Sequence, residues 1–155
     1  MAKTTVKIEG LRELDQALGE LPKATGKNVL RRVLTEAAEP MARLARAYAP
    51  VDEGHLRESI DVSTRLSRRQ AGIHKSMFAS DRASVEMFVG PGTHPQGHLR
   101  EFGGDKNPPH PFMRPAWDAE KRPTLDRIAN SLWMEIDKAA QRLARKAARQ
   151  AAKGK

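Results

Sequence analysis

The sequence predicts an α+β fold: a small, mainly antiparallel sheet packed by a long kinked helix and followed by a long basic C-terminal helix. Three observations lead there. Strand-like alternation of apolar and polar residues is confined to short runs, helical apolar stripes flank those runs, and the strands follow one another instead of alternating with helices.

In chain order, "TTVKIEG" alternates Val6 and Ile8 with polar residues and ends at Gly10, as a short edge strand does. "LRELDQALGELP" then places Leu11, Leu14, Leu18 and Leu21 on one helical face, and Pro22 stops it. A longer helix over about residues 25–48 carries Val29, Val33, Ala37, Met41, Leu44 and Tyr48 as its apolar stripe. Pro40 lies inside that pattern. Because the periodicity resumes in phase at Met41, the proline is expected to kink the helix and not to end it. In "APVDEGHLRESI" Pro50 closes the helix and Gly54 supplies a turn. Two strands are expected next, "SIDVSTRL" with Ile60, Val62, Thr64 and Leu66, and "SVEMFVG" with Val85, Met87 and Val89. The stretch between them, "SRRQAGIHKSMFASDR", reads as a further strand reached through a basic loop. Residues 91–115 are rich in proline and read as irregular. From about Ala116 the remainder is helical, with Leu125, Ile128, Leu132, Ile136, Leu143 and Ala147 on one face and Trp133 beside it. Continued to Ala152 that helix is about 50 Å long. This exceeds what the core of so short a chain needs, so its last turns are expected to project.

The 155 residues suit one domain, residues 1–137, with a basic helical extension over 138–155. Aromatic residues are only 5% of the chain, so the core rests on Leu, Ile, Val, Met and Ala. The absence of cysteine removes disulfides, thiolate metal sites and cysteine nucleophiles together. No apolar run approaches the roughly 20 residues of a membrane span. The opening "MAKTTVKIEGL" lacks an apolar signal core, so the protein is expected to be neither secreted nor anchored. Charge is the strongest compositional signal. Twenty-eight basic residues against nineteen acidic ones give +9, and Lys138 to Lys155 hold seven Lys or Arg and no acid. Such a tail fits an anionic neighbour, either nucleic acid or an acidic protein surface, or else a solvated helix end.

Enzymatic signatures are missing. The chain has no GxGxxG, GxxxxGKS/T, GxSxG or HExxH. His94, His98 and His110 invite a metal reading. Apart from Glu101, however, no carboxylate stands at ligand spacing, and a Pro/Gly-rich loop is a poor scaffold for ligands. Asp52 and Glu53 beside Gly54 suit a turn better than an acid–base pair. No catalytic, metal or cofactor-binding residue is assigned, and the protein is expected not to be an enzyme. Arg65, Arg68 and Arg69, with Arg142, Arg145, Lys146 and Arg149, could contact phosphates or an acidic partner. No helix-turn-helix, zinc-finger or basic-zipper pattern accompanies them. A nonspecific nucleic-acid-binding protein that uses the basic C-terminal helix is therefore the alternative function.

Three stretches carry a family resemblance. They are "ARAYAPVDEGHLRESI", "VEMFVG", and "LREFGG" followed by "HPFMRPAWD". In this order they resemble the head–tail joining or tail-completion proteins of the neck of long-tailed bacteriophages and prophages, over roughly residues 10–135. Leu99 stands where the family usually has an aromatic, and Gly104 where it often has Thr. The resemblance implies a structural virion protein without catalysis or cofactor. It would be assembled in the bacterial host cytoplasm as a ring between capsid connector and tail, six-fold by the family and by tail symmetry. Head-closure, tail-terminator or tail-tube proteins would be its neighbours, with possible nonspecific DNA contact in the channel and no membrane.

Against that background, Pro108, Pro109, Pro111 and Pro115 pre-stiffen a docking loop that loses less entropy on binding. The interface and turn candidates are Asp52, Gly54, Arg57, Glu101, Phe102, Gly103, Phe112, Met113, Arg114 and Trp117. Phe112 is expected to pin the loop to its own core, and Trp117 and Met113 to anchor there or in a neighbour. Arg114 is expected to pair with Glu101, within the chain or across a subunit boundary. Arg57 is expected to pair with Asp52 and fix the turn, or else to meet the next subunit.

Overall fold

Two long helices lying side by side organise the chain. The computed structural model describes residues 11–77 and 85–153, apart from the Leu11 side chain. The elements are α1 (Leu11–Gly19), α2 (Lys23–Tyr48), α3 (His55–Glu58), β1 (Asp61–Ser63), α4 (Arg68–Met77), β2 (Phe88–Gly90), α5 (Pro95–Phe102) and α6 (Met113–Lys153). Val29 and Val33, early in α2, share a buried cluster with Leu132, Ile136 and Ala139 of α6. Met41, Ala42 and Ala45, late in α2, share another with Phe112 and Ala116. The two helices therefore run antiparallel. Each cluster is closed by smaller elements: the first by Leu14 of α1 and by Leu21, the second by Leu56 of α3 and Ile60.

The proline inside α2 is accommodated. Helix α2 continues through Pro40, and α6 through Pro123. A proline has no N–H, so the carbonyl four residues earlier loses its helical donor. For Pro40 that carbonyl is Glu36's; Arg127 on α6 donates from Nε to the next one, of Ala37, at 3.2 Å. The same guanidinium bonds Glu120 and Thr124 on its own helix. Closer to α1, Arg32 and Glu135 face each other across the helix pair at 3.3 Å.

The sheet is antiparallel and has two strands, with Asp61 opposite Gly90, Val62 opposite Val89 and Ser63 opposite Phe88. Val62 and Val89 turn toward the cluster around Phe112. Arg46 staples the sheet to α2, donating from Nε to the Ile60 carbonyl at 2.8 Å while it pairs with Glu39.

The result is a mostly helical α+β fold with a long C-terminal helix, and several expected elements need correction. Both strands are shorter than the alternation suggests; Thr64, Leu66, Val85 and Met87 lie outside the ladder. The stretch expected as a further strand forms α4 over Arg68–Met77. Its cause is a reciprocal cap. The Gln70 N–H donates to Ser67 Oγ at 3.2 Å, and the Ser67 N–H donates to Gln70 Oε1 at 3.0 Å. The stretch expected to be irregular contains α5, which starts after His94 with Pro95 in its first turn, where a missing N–H costs nothing. Helix α6 starts at Met113, ahead of the expected Ala116, and runs unbroken past residue 138. The strand expected over "TTVKIEG" lies outside the described residues.

Candidate functional site

The prolines and glycines between α5 and α6 serve a join in which one carboxylate holds the start of a helix. Glu101 closes α5 and is 5% exposed. Its Oε2 accepts the N–H groups of Phe112 at 2.8 Å and Met113 at 2.9 Å, and its Oε1 accepts that of Arg114 at 3.0 Å. The first N–H groups of a helix have no acceptor within it and form its positive end. Glu101 thus caps α6 from a separate helix. Arg114 completes the clamp, donating from Nε to Oε1 at 3.2 Å and from Nη2 to the Glu101 carbonyl at 3.1 Å. Burial alone would push this carboxyl up. The backbone donors of Met113, Phe112 and Arg114, with the Arg114 side chain, outweigh burial and hold it below the usual glutamate value.

The connecting residues 103–112 are stiffened at several points. Gly104 and Asn107 exchange backbone hydrogen bonds at 3.0 and 3.1 Å, which puts Asp105 and Lys106 at a tight turn. The His110 N–H donates to the Arg100 carbonyl at 2.7 Å. Gly103 has a φ of 80°, and an added Cβ would lie 3.1 Å from Pro109 Cδ and 3.2 Å from the Asn107 carbonyl, so no other residue fits without strain.

The loop has an inner and an outer side. Phe112 is fully buried among Ala45, Leu56 and Ile60, so it pins the loop to this chain's own core, and Met113 packs at the edge of the same cluster. Leu99, Phe102 and Trp117 are more than half or half exposed, at 50, 58 and 56%. Arg114 lies over the Phe102 ring at 5.0 Å, and the His98 ring is 5.0 Å from the same ring. A held aromatic with an arginine on it is the composition that dominates protein interfaces.

The other candidates are more scattered. Gly54 adopts φ 86° and leads into α3. Asp52 is exposed and has no hydrogen bond or ion pair among the described residues. Arg57 therefore does not fix the turn through Asp52. Its Nη2 instead points to the Ala49 carbonyl at 3.4 Å, which closes the end of α2. Arg65, Arg68 and Arg69 are exposed at and before α4, and Arg142, Arg145, Lys146 and Arg149 are exposed late in α6. Helix α4 is tied through Gln70 to Gly92 beside α5, whereas Leu143 packs with the cluster under α1. The two basic groups thus sit at opposite ends of the α2–α6 pair and do not form one surface.

Sequence reasoning missed the exposure of Leu99, the three N–H groups gathered by Glu101, and α4. For α4 the signal was present, in the Ser67 to Gln70 spacing. For the cap there was none, because Glu101 and Phe112 meet only when α5 folds back on α6. Among the described residues no group of three or more His, Asp or Glu is arranged to hold a metal ion, and no helix is long and apolar enough to cross a membrane.

A family model described as bacteriophage HK97-gp10, a tail component, matches residues 12–103, from α1 to the glycine that follows Glu101 and Phe102. No curated protein matches the chain, and no solved structure does.

Proposed function

The chain belongs to the HK97-gp10-like family of bacteriophage tail components, and from that premise we propose that it is a tail-completion or head–tail joining subunit. It assembles in the host cytoplasm as a ring, six-fold like the tail, between the capsid connector and the tail tube. The observation that carries this reading is the outer side of the α5–α6 join. Leu99 and Phe102 stand exposed on a backbone locked by Glu101, Gly103 and the prolines. A single chain gains nothing from holding exposed apolar side chains rigid, whereas a subunit that docks against a head-closure, tail-terminator or tail-tube ring loses little entropy when it binds. The family is a structural one, which agrees with a role in assembly and not in catalysis.

Within residues 138–155, the exposed Arg and Lys between Lys138 and Lys153 face either the DNA in the channel or an acidic ring. Deleting the gene from its native genome and imaging the particles tests the main reading. Filled heads apart from tails, or tails with ragged upper ends, are expected. Intact particles at normal titre would end it.

The exposed cations support a second reading, a nonspecific nucleic-acid-binding protein. It requires that removal of residues 138–155 abolish duplex binding at low salt; unchanged binding refutes that version.

A further inference from the structure

We propose that copies of this chain associate through the α2–α3 loop of one and a hollow beside Trp117 of the next. The inference rests on the ring reading above and supplies the self-contact surfaces that reading leaves open. The hollow, about 510 Å³, lies between α2 and α6. Met41, Trp117, Leu125 and Ile128 form its apolar lining, Lys121 and Arg122 contribute the charge, and no acidic residue lines it. Lys121 shares Asp118 of its own helix at 2.7 Å, but Arg122 has no hydrogen-bond or ion-pair partner among the described residues. An exposed tryptophan beside unneutralised arginine is suited to an apolar side chain with a carboxylate next to it.

The loop after α2 has that chemistry. Tyr48 and Val51 are 47 and 61% exposed, and Asp52 and Glu53 follow directly. Glu53 has His55 at 3.6 Å, while Asp52 is without a partner among the described residues. Arg100 lies on the small hollow under this loop and forms no ion pair with it. Pro50 stiffens the loop ahead, and Gly54 behind takes the left-handed turn that leads the chain into α3. One surface is an exposed loop with apolar and acidic side chains, the other a concave apolar and basic cleft, and they share no residue. A contact between two different patches of identical chains is heterologous. Each copy uses both patches, and the chain of contacts closes into a ring when the rotation allows. The outer side of the α5–α6 join then stays available for an unlike partner.

Charge reversal tests this with the full-length chain. Asp52→Lys with Glu53→Lys makes both patches basic, and Lys121→Glu with Arg122→Glu makes both acidic. All four positions are exposed, so far-UV circular dichroism and melting should match the unaltered chain. Sedimentation over a concentration series should show an oligomer for the unaltered chain and association at least about tenfold weaker for each reversed protein alone. An equimolar mixture, in which every contact again joins opposite charges, should restore it, as should the fourfold variant. Undiminished association of either reversed protein, or a loss that mixing does not rescue, overturns the proposed surfaces and leaves the ring reading standing. A chain that stays monomeric without any substitution, at every concentration and inside no isolated neck assembly, overturns both.

Discussion

Glu101 is the residue on which the loop geometry depends, because three backbone N–H groups and one guanidinium converge on it. Replacing it with Ala leaves those donors without an acceptor near the core and should cost about 2–4 kcal/mol, with Gln costing less because one acceptor oxygen survives. Its folded value lies below the ordinary 4.5. A depressed carboxylate contributes stability that is complete above its unfolded value and is lost as the pH falls through the folded one. Thermal midpoints should therefore drop below about pH 4.5 in the unaltered chain, and Glu101→Gln should flatten that part of the profile. An unchanged acid limb in the Gln variant would show that Glu101 does not govern it. Phe112 belongs at the same scale. It is fully buried, so Phe112→Ala should cost about 3–5 kcal/mol in a denaturant titration, as cavity formation beneath a pinned loop does.

At the scale of elements, α6 does two jobs along one continuous helix. Up to Ala139 and Leu143 it buries side chains against α1 and α2; beyond Leu143 every described residue is exposed. A chain ending at Ala144 should keep its stability within about 0.5 kcal/mol. A chain ending at Asp137 also loses the packing of Ala139 and Leu143 and should fall by about 1–3 kcal/mol. Urea unfolding of the two truncations separates packing from projection. If the distal turns contact phosphates, the shorter loss alone should lower the salt slope of DNA binding by about 0.9 for each contact removed. An unchanged slope would assign those cations to a protein neighbour or to solvent.

For the whole molecule, the question is which surfaces remain for partners once the core is closed. Clusters at both ends of the α2–α6 pair satisfy most of the apolar stripe, and large apolar side chains stay exposed at the α5–α6 join, the hollow by Trp117, the loop after α2, Ile73 and Met77 of α4, and Trp133 and Met134 of α6. Leu99→Ser with Phe102→Ser removes exposed apolar surface and no buried contact of the core clusters, so the purified chain should melt near its usual temperature. Complementation of a gene deletion with that variant should nevertheless fail to join heads to tails. Normal particle yield from a folded variant would move the docking surface elsewhere.

The sequence by itself determined the helical stripes of α1, α2 and α6, the passage of α2 through Pro40, the two strands that pair, and the family resemblance. Each depends on patterns within one or two turns, or on short motifs in order, and those are local. It also contained the signal for α4 in Ser67 and Gln70, where alternation misled because a capping interaction outweighs weak strand propensity. Tertiary structure alone decided that Glu101 caps a helix that begins twelve residues further on, that Arg57 turns to the Ala49 carbonyl and away from Asp52, and that the basic groups part to opposite ends. Such contacts join residues distant in the chain, and their partners are selected by how α5 and α6 pack, which no local spacing encodes.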